Sequence, residues 1–127
     1  MHPKQSRRNV LIRYKADQFT CDTQDGVLAV GLSNPTGGYV LFQRQLPCEL
    51  DEAPPYFEFD DQVNGSSKIL QSVLLSKNKI IINLLPECAT SQFEIKFDIS
   101  DEQFARSAQC LQQIFSGFDS QLKIQLD

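Results

Sequence analysis

Histidine is almost missing from this chain of 127 residues: the only one is His2, expected in a frayed terminus beside Met1. That scarcity excludes Ser-His-Asp and Cys-His catalysis, imidazole acid–base chemistry and histidine-ligated metal sites. Tryptophan is absent and methionine occurs once, so neither a tryptophan sugar platform nor a Met-rich groove is on offer. No apolar run approaches the ~20 residues needed to span a bilayer. The longest, residues 80–85, is interrupted by Asn83 and has the length of a strand. No C-x-x-C pair occurs among Cys21, Cys48, Cys88 and Cys110. The N-terminus has no apolar core of ~7–15 residues of the kind a secretory signal needs. These features predict a cytoplasmic protein with four reduced thiols, a disulfide between two of them being the alternative. No cofactor, metal or membrane is implied.

What the chain does have is ordinary globular composition, 41% apolar and 22% charged, sufficient for one domain with a real core. Residues 1–8 read as a disordered basic lead and 9–127 as a single domain. Net charge is −4, which argues against nucleic acid as a partner. The acids are not evenly spread. Residues 17–61 hold nine of them against the single cation Arg44. Such a patch attracts cationic partners and speeds encounter with them.

Period-two patterning predicts strands at 9–14, 26–32, 39–46, 56–60, 69–75, 79–85, 93–99 and 122–126. In the fourth, Phe57 and Phe59 share one face, while Tyr56, Glu58 and Asp60 share the other. Asn34 to Gly38 and Asn64-Gly65 read as turns. The period changes at Ser100. Ser100-Asp101-Glu102-Gln103 fits a capping box, in which the serine accepts from the Gln103 amide and the Gln103 side chain reaches back. Phe104, Ser107, Ala108, Leu111, Ile114 and Phe115 then form one helical stripe, and Gly117 is placed to end it. The expected fold class is α+β. About eight strands form a curled, mainly antiparallel sheet, and one amphipathic helix near the C-terminus packs on one face. A helix of ~16 residues is only ~24 Å long and cannot cover eight strands, so the sheet must curl or split.

Few residue constellations carry chemistry. Asp60 or Asp61 with Glu94-Ile95-Lys96 matches the carboxylate-and-amine pattern of Mg²⁺-dependent nucleases. Any half-wet strand yields Glu-x-Lys, however, and a basic groove is lacking. Asp51-Glu52 and Asp60-Asp61 lack the spacing of a calcium loop, and Gly37-Gly38 is not followed by the Lys-Ser/Thr of a phosphate loop. No catalytic set emerges, and a binding module is the better reading. Its candidate contact residues are Tyr39, Glu49, Asp51, Glu52, Tyr56, Glu58, Asp60 and Asp61: two aromatic anchors among carboxylates. Arg44, on a face with Val40 and Phe42, is expected to pair with a carboxylate at the rim.

Three stretches in order, Tyr39 to Arg44, Tyr56 to Gln62 running on through Gly65 into a strand–turn–strand, and Phe93 to Ile99 entering the capped helix, resemble the immunity protein 10 family of bacterial polymorphic-toxin systems. The resemblance spans residues 26–116. It implies a non-catalytic antidote that binds and blocks a cognate toxin domain, expected to be cationic. A structural or assembly module of a larger bacterial complex is the alternative, with a Mg²⁺-dependent nuclease third.

Overall fold

The chain forms ten strands, together with one helix, in the computed structural model, which describes residues 10–46, 54–88 and 90–126. The strands are β1 (Val10–Lys15), β2 (Gln18–Gln24), β3 (Val27–Asn34), β4 (Gly38–Gln45), β5 (Tyr56–Phe59), β6 (Asp61–Ser66), β7 (Leu70–Leu75), β8 (Lys79–Leu84), β9 (Thr90–Lys96) and β10 (Leu122–Ile124). The helix α1 covers Asp101–Ile114. The expected lead at 1–8 lies outside the described residues.

The class is α+β, as the pattern predicts, but the strands split between two sheets instead of curling as one. Sheet I runs β1-β9-β8-β7-β10 and sheet II runs β2-β3-β4-β5-β6. Sheet II is a pure antiparallel meander. Sheet I is antiparallel at its centre, with β1 and β10 added in parallel at its edges. The chain changes sheets at a corner between β1 and β2. There Ala16 N–H donates to Lys96 O in sheet I (2.8 Å), and Asp17 N–H donates to Ser33 O in sheet II (2.8 Å).

Two strands lie beyond the eight expected. β2 was masked by its polar composition, although Phe19 and Cys21 alternate with Thr20 and Asp22. The dipeptide Asp25-Gly26 marks its end: φ is 53° and 79°, and Gln24 pairs with Val27, so a two-residue hairpin joins β2 to β3. Gly26 therefore belongs to the turn and not to the strand predicted from it. β6 contains Asn64 and Gly65, which are strand residues and not the expected turn. Strand β9 ends at Lys96, three residues earlier than predicted. Phe97 N–H leaves the ladder to donate to Asn78 O (3.0 Å).

The inner faces of the sheets meet through aromatic rings. Phe93 of β9 packs edge-on against Phe57 and Phe59 of β5, with centroids 5.8 and 5.0 Å away. Helix α1 lies against β2, β3 and β4 and also touches β10. Its buried stripe is Phe104, Ser107, Ala108, Leu111 and Ile114. Phe115 follows with a ring 6.2 Å from Phe42.

Three side-chain devices fasten α1 to sheet II. At its start the Ser100 hydroxyl accepts from Gln103 N–H (3.0 Å), as the capping box requires. The Gln103 side chain does not reach back; it donates to Phe19 O on β2 (2.7 Å). Along the same helix face, Arg106 donates to Cys21 O (3.2 Å), and Cys110 forms a disulfide with Cys21, Cα atoms 6.7 Å apart. The expectation of four reduced thiols is thereby corrected. Residues 103, 106 and 110 recur at helical spacing along β2, which brings together two cysteines 89 positions apart. Cys88 is a free thiol, and Cys48 lies outside the described residues.

The third device is Arg44. It does not meet a carboxylate at the rim among the described residues. It is buried, 5% exposed, and its Nη1 donates to Ile114 O (2.6 Å) and Ser116 O (3.0 Å) at the helix C-terminus. Its guanidinium lies 5.3 Å from the centre of the Phe118 ring. The last turn of α1 contains no basic residue of its own, so Arg44 supplies the positive charge that the helix dipole favours there. Gly117 does adopt positive φ (85°), two residues beyond the C-cap Phe115.

Chemical denaturation tests this packing. Leu111→Ala should lose about 2–5 kcal/mol as a buried leucine truncated to a cavity. Arg44→Met should lose about 1–3 kcal/mol through stranded carbonyls, and Ser100→Ala about 1 kcal/mol through the lost cap. A Leu111→Ala midpoint within error of the parent sinks the model of a buried helix stripe.

Candidate functional site: a tyrosine–glutamate cluster on sheet II

The outer face of sheet II collects three of the candidate residues that the structure describes, Tyr39, Tyr56 and Glu58, with Asp60 and Asp61 at the adjoining β5–β6 corner. In the β4–β5 pairing Leu41 faces Glu58 and Gln43 faces Tyr56. Tyr39, two residues before Leu41, therefore emerges on the same side as Tyr56 and Glu58. The inward positions of these strands, Val40, Phe42 and Phe57, are fully buried. Burial of that apolar row is what fixes which side the tyrosines take.

Glu58 is the centre of the cluster. Its side chain is covered, with 7% of the residue exposed, and each carboxylate oxygen accepts one phenol. The Tyr39 hydroxyl donates to Oε2, and the Tyr56 hydroxyl donates to Oε1 at 2.8 Å. The Tyr39 pKa is pushed up to about 12, first by that hydrogen bond, then by burial and the negative charges of Glu58 and Asp61. Tyr56 is raised for the same leading reason. Both phenols therefore stay protonated over the physiological range and hold the carboxylate from two sides.

Glycines and a strained corner shape the surroundings. A Cβ on Gly65 of β6 would overlap the Tyr56 hydroxyl, so only glycine lets that ring lie across the edge strand. Asp60 sits between β5 and β6 with φ of 62°. Its Oδ1 accepts from Tyr39 N–H (3.0 Å), and its own N–H donates to Tyr39 O (3.1 Å). Gly38 has φ of 113°, and a side chain there would collide with Asp60. Asp61 is exposed at the start of β6. Tyr14 approaches from β1: a side chain on Gly37 would meet its ring, and its buried hydroxyl has no partner among the described residues. Burial and the charge of Asp60 raise its pKa.

Thus five of the eight sequence-derived candidates, Tyr39, Tyr56, Glu58, Asp60 and Asp61, cluster on neighbouring strands of one sheet. Glu49, Asp51 and Glu52 lie outside the described residues. Gly65, Gly38 and Tyr14 were missed as supporting residues. Asn64-Gly65 was visible but read as a turn, and the contact between Tyr14 and the β3–β4 turn has no local signature. The residues of the nuclease pattern lie on different sheets, Glu94 and Lys96 on sheet I and Asp60 and Asp61 at the β5–β6 corner of sheet II. Glu94 belongs to sheet I, where it accepts from Arg13 Nε (3.1 Å) and lies 3.6 Å from Lys79 Nζ, while Asp60 is committed to the Tyr39 backbone in sheet II. Among the described residues, no three His, Cys, Asp or Glu side chains form a metal-holding group. None of the described helices is long and apolar enough to cross a membrane.

No protein-family model matched the chain, and comparison with curated proteins and with solved structures likewise gave no match.

The cluster has a pH signature. In the unfolded chain Tyr39 loses its proton near ~10, whereas in the folded protein it does so only at about 12. Its contribution to stability is therefore complete below ~10 and lost as pH rises through that window. Phenolate absorbance should show Tyr39 titrating late, and Glu58→Gln should return it toward ~10. An unchanged titration in Glu58→Gln would mean that the glutamate does not hold the phenol.

Proposed function

We propose that this protein is a non-catalytic immunity protein that binds a cationic toxin domain through the Tyr39–Glu58–Tyr56 face of sheet II. The observation that carries the reading is the pair of tyrosines converging on one covered carboxylate. Two half-buried rings over a negative charge form a seat suited to a guanidinium or ammonium group, which gains from the ring faces and, through space, from the charge they cover. The rings are already held by hydrogen bonds, so little rotamer freedom is lost when a partner docks. Asp60 and Asp61 at the rim extend the negative field that steers a basic partner. The ordered resemblance across residues 26–116 supports the same class.

The cytoplasmic reading belongs to this proposal as well, because an antidote must meet its toxin in the producing cell. It no longer draws support from reduced thiols: Cys21 and Cys110 are joined, and such bonds persist chiefly in oxidising compartments.

The test begins with the product of the adjacent gene, since an antidote is encoded beside its toxin. Co-expression should rescue cells from that product. Tyr39→Ala should weaken the complex mainly through faster dissociation. Asp60→Asn with Asp61→Asn should slow association by about tenfold at low salt, and the deficit should shrink toward ~0.5 M salt. Full protection and parental kinetics in all of these variants would remove the face from the mechanism.

A further inference from the structure

Sheet I carries a surface of the opposite sign. Lys15 of β1 pairs in register with Lys96 of β9, and Lys96 with Lys79 of β8. All three alternate with inward residues: Tyr14 and Ile95 precede Lys15 and Lys96, and Ile80 follows Lys79. Three lysines thus form one rung across the outer face. Like charges placed directly opposite destabilise a sheet, and an acidic partner on the outer side would relieve this rung. Relief within the chain is slight. Lys15 reaches Asp98 only at 3.9 Å with both side chains largely in water, and Lys79 shares Glu94 with Arg13. Lys96 has no ion pair among the described residues.

The rung adjoins an unpaired strand edge. Lys15 O accepts from Asn34 Nδ2 (2.6 Å), so its carbonyl points away from β9, whereas Ala16 N–H donates to Lys96 O and points toward it. Backbone direction alternates along a strand. Leu11 and Arg13 therefore aim their N–H and C=O groups outward, and neither is bonded there among the described residues. The other free edges are better protected. Helix side chains occupy two carbonyls of β2, those of Phe19 and Cys21, β10 is three residues long, and on β6 the Asp61 side chain already takes Val63 N–H (3.1 Å). On β1, by contrast, Val10 and Leu11 stand 42% and 39% exposed beside the open groups.

We propose that the Leu11–Arg13 edge and the adjoining lysine rung dock an acidic, extended segment of a partner protein, which adds to sheet I as a further strand. The open backbone groups supply the ladder, Leu11 supplies apolar contact, and Arg13, Lys15 and Lys96 choose the charge of the strand. The same cations repel basic strands and so guard the edge against indiscriminate pairing. This surface lies on the other sheet from the tyrosine–glutamate cluster and stands or falls independently of it.

The test is fluorescence anisotropy on the full chain with a short labelled peptide of alternating glutamate and valine. The parent should bind it at low salt and ignore the lysine–valine counterpart. Lys15→Glu with Lys96→Glu should weaken binding by tenfold or more. Leu11→Pro removes an outward N–H without removing a bond to β9, so the strand survives. It should likewise weaken binding by tenfold or more, which charge attraction alone does not predict. Amide exchange on the parent gives a second readout that does not depend on the variants folding: the Leu11 and Arg13 amides should slow when the peptide is added. No binding of the glutamate–valine peptide overturns the proposal, as do unchanged exchange at both amides or parental affinity in Leu11→Pro. Equal affinity for a single-stranded oligonucleotide, retained in Leu11→Pro, also overturns it and identifies the face as a general polyanion site.

Discussion

One buried arginine organises the relation between helix and sheets. Arg44 emerges from β4 on the inward row with Val40 and Phe42, where every other chemical consideration calls for an apolar side chain. A charge in that position is costly unless its donors are satisfied. The C-terminus of α1 satisfies Nη1 with the carbonyls of Ile114 and Ser116. The arrangement is reciprocal: a helix with no basic residue in its last turn gains a cation, and a buried cation gains the negative end of a helix. These bonds hold the helix end over β4. The ring contact with Phe118 and the packing of Phe115 on Phe42 follow from that placement.

The far end of the helix is fixed by a different strand. Gln103 and Arg106 take outward carbonyls of β2, and the Cys21–Cys110 bond makes the same seam covalent. An edge that could otherwise recruit another chain is covered. With α1 lying from β2 to β4, the remaining part of sheet II, β5, meets β9 through Phe57, Phe59 and Phe93. The apolar side of β5 is then fully occupied, and Tyr56 and Glu58 have no choice but the outer face. The candidate site is in this sense a consequence of where the helix and the phenylalanines went.

The two sheets end with opposite outer surfaces. Sheet II presents carboxylates and tyrosines; sheet I presents Arg13, Lys15, Lys79 and Lys96 around Glu94. A modest net charge of −4 hides this division, because the two sets largely cancel in the sum. Steering of partners depends on the local field and not on the total.

Much of this was legible in the sequence. Strict alternation at 56–60 sorted Phe57 and Phe59 from Tyr56 and Glu58, and Ser100 announced the helix, because each signal is local and acts within a few residues. One missed strand had a local signal, Asp25-Gly26 for β2, which its polar composition outweighed; β6 is polar except for the exposed Val63, and its Asn-Gly reads as a turn. Other features were out of reach. The division into two sheets, the parallel addition of β1 to β9, the Cys21–Cys110 bond, the capture of helix carbonyls by Arg44 and the in-register lysines all join residues far apart in the chain. Their formation depends on which buried faces meet, and one-dimensional spacing does not encode that meeting. The sequence by itself determined which side chains share a strand face and where the helix begins. Tertiary packing decided which strands stand side by side, and so turned scattered tyrosines, carboxylates and lysines into surfaces.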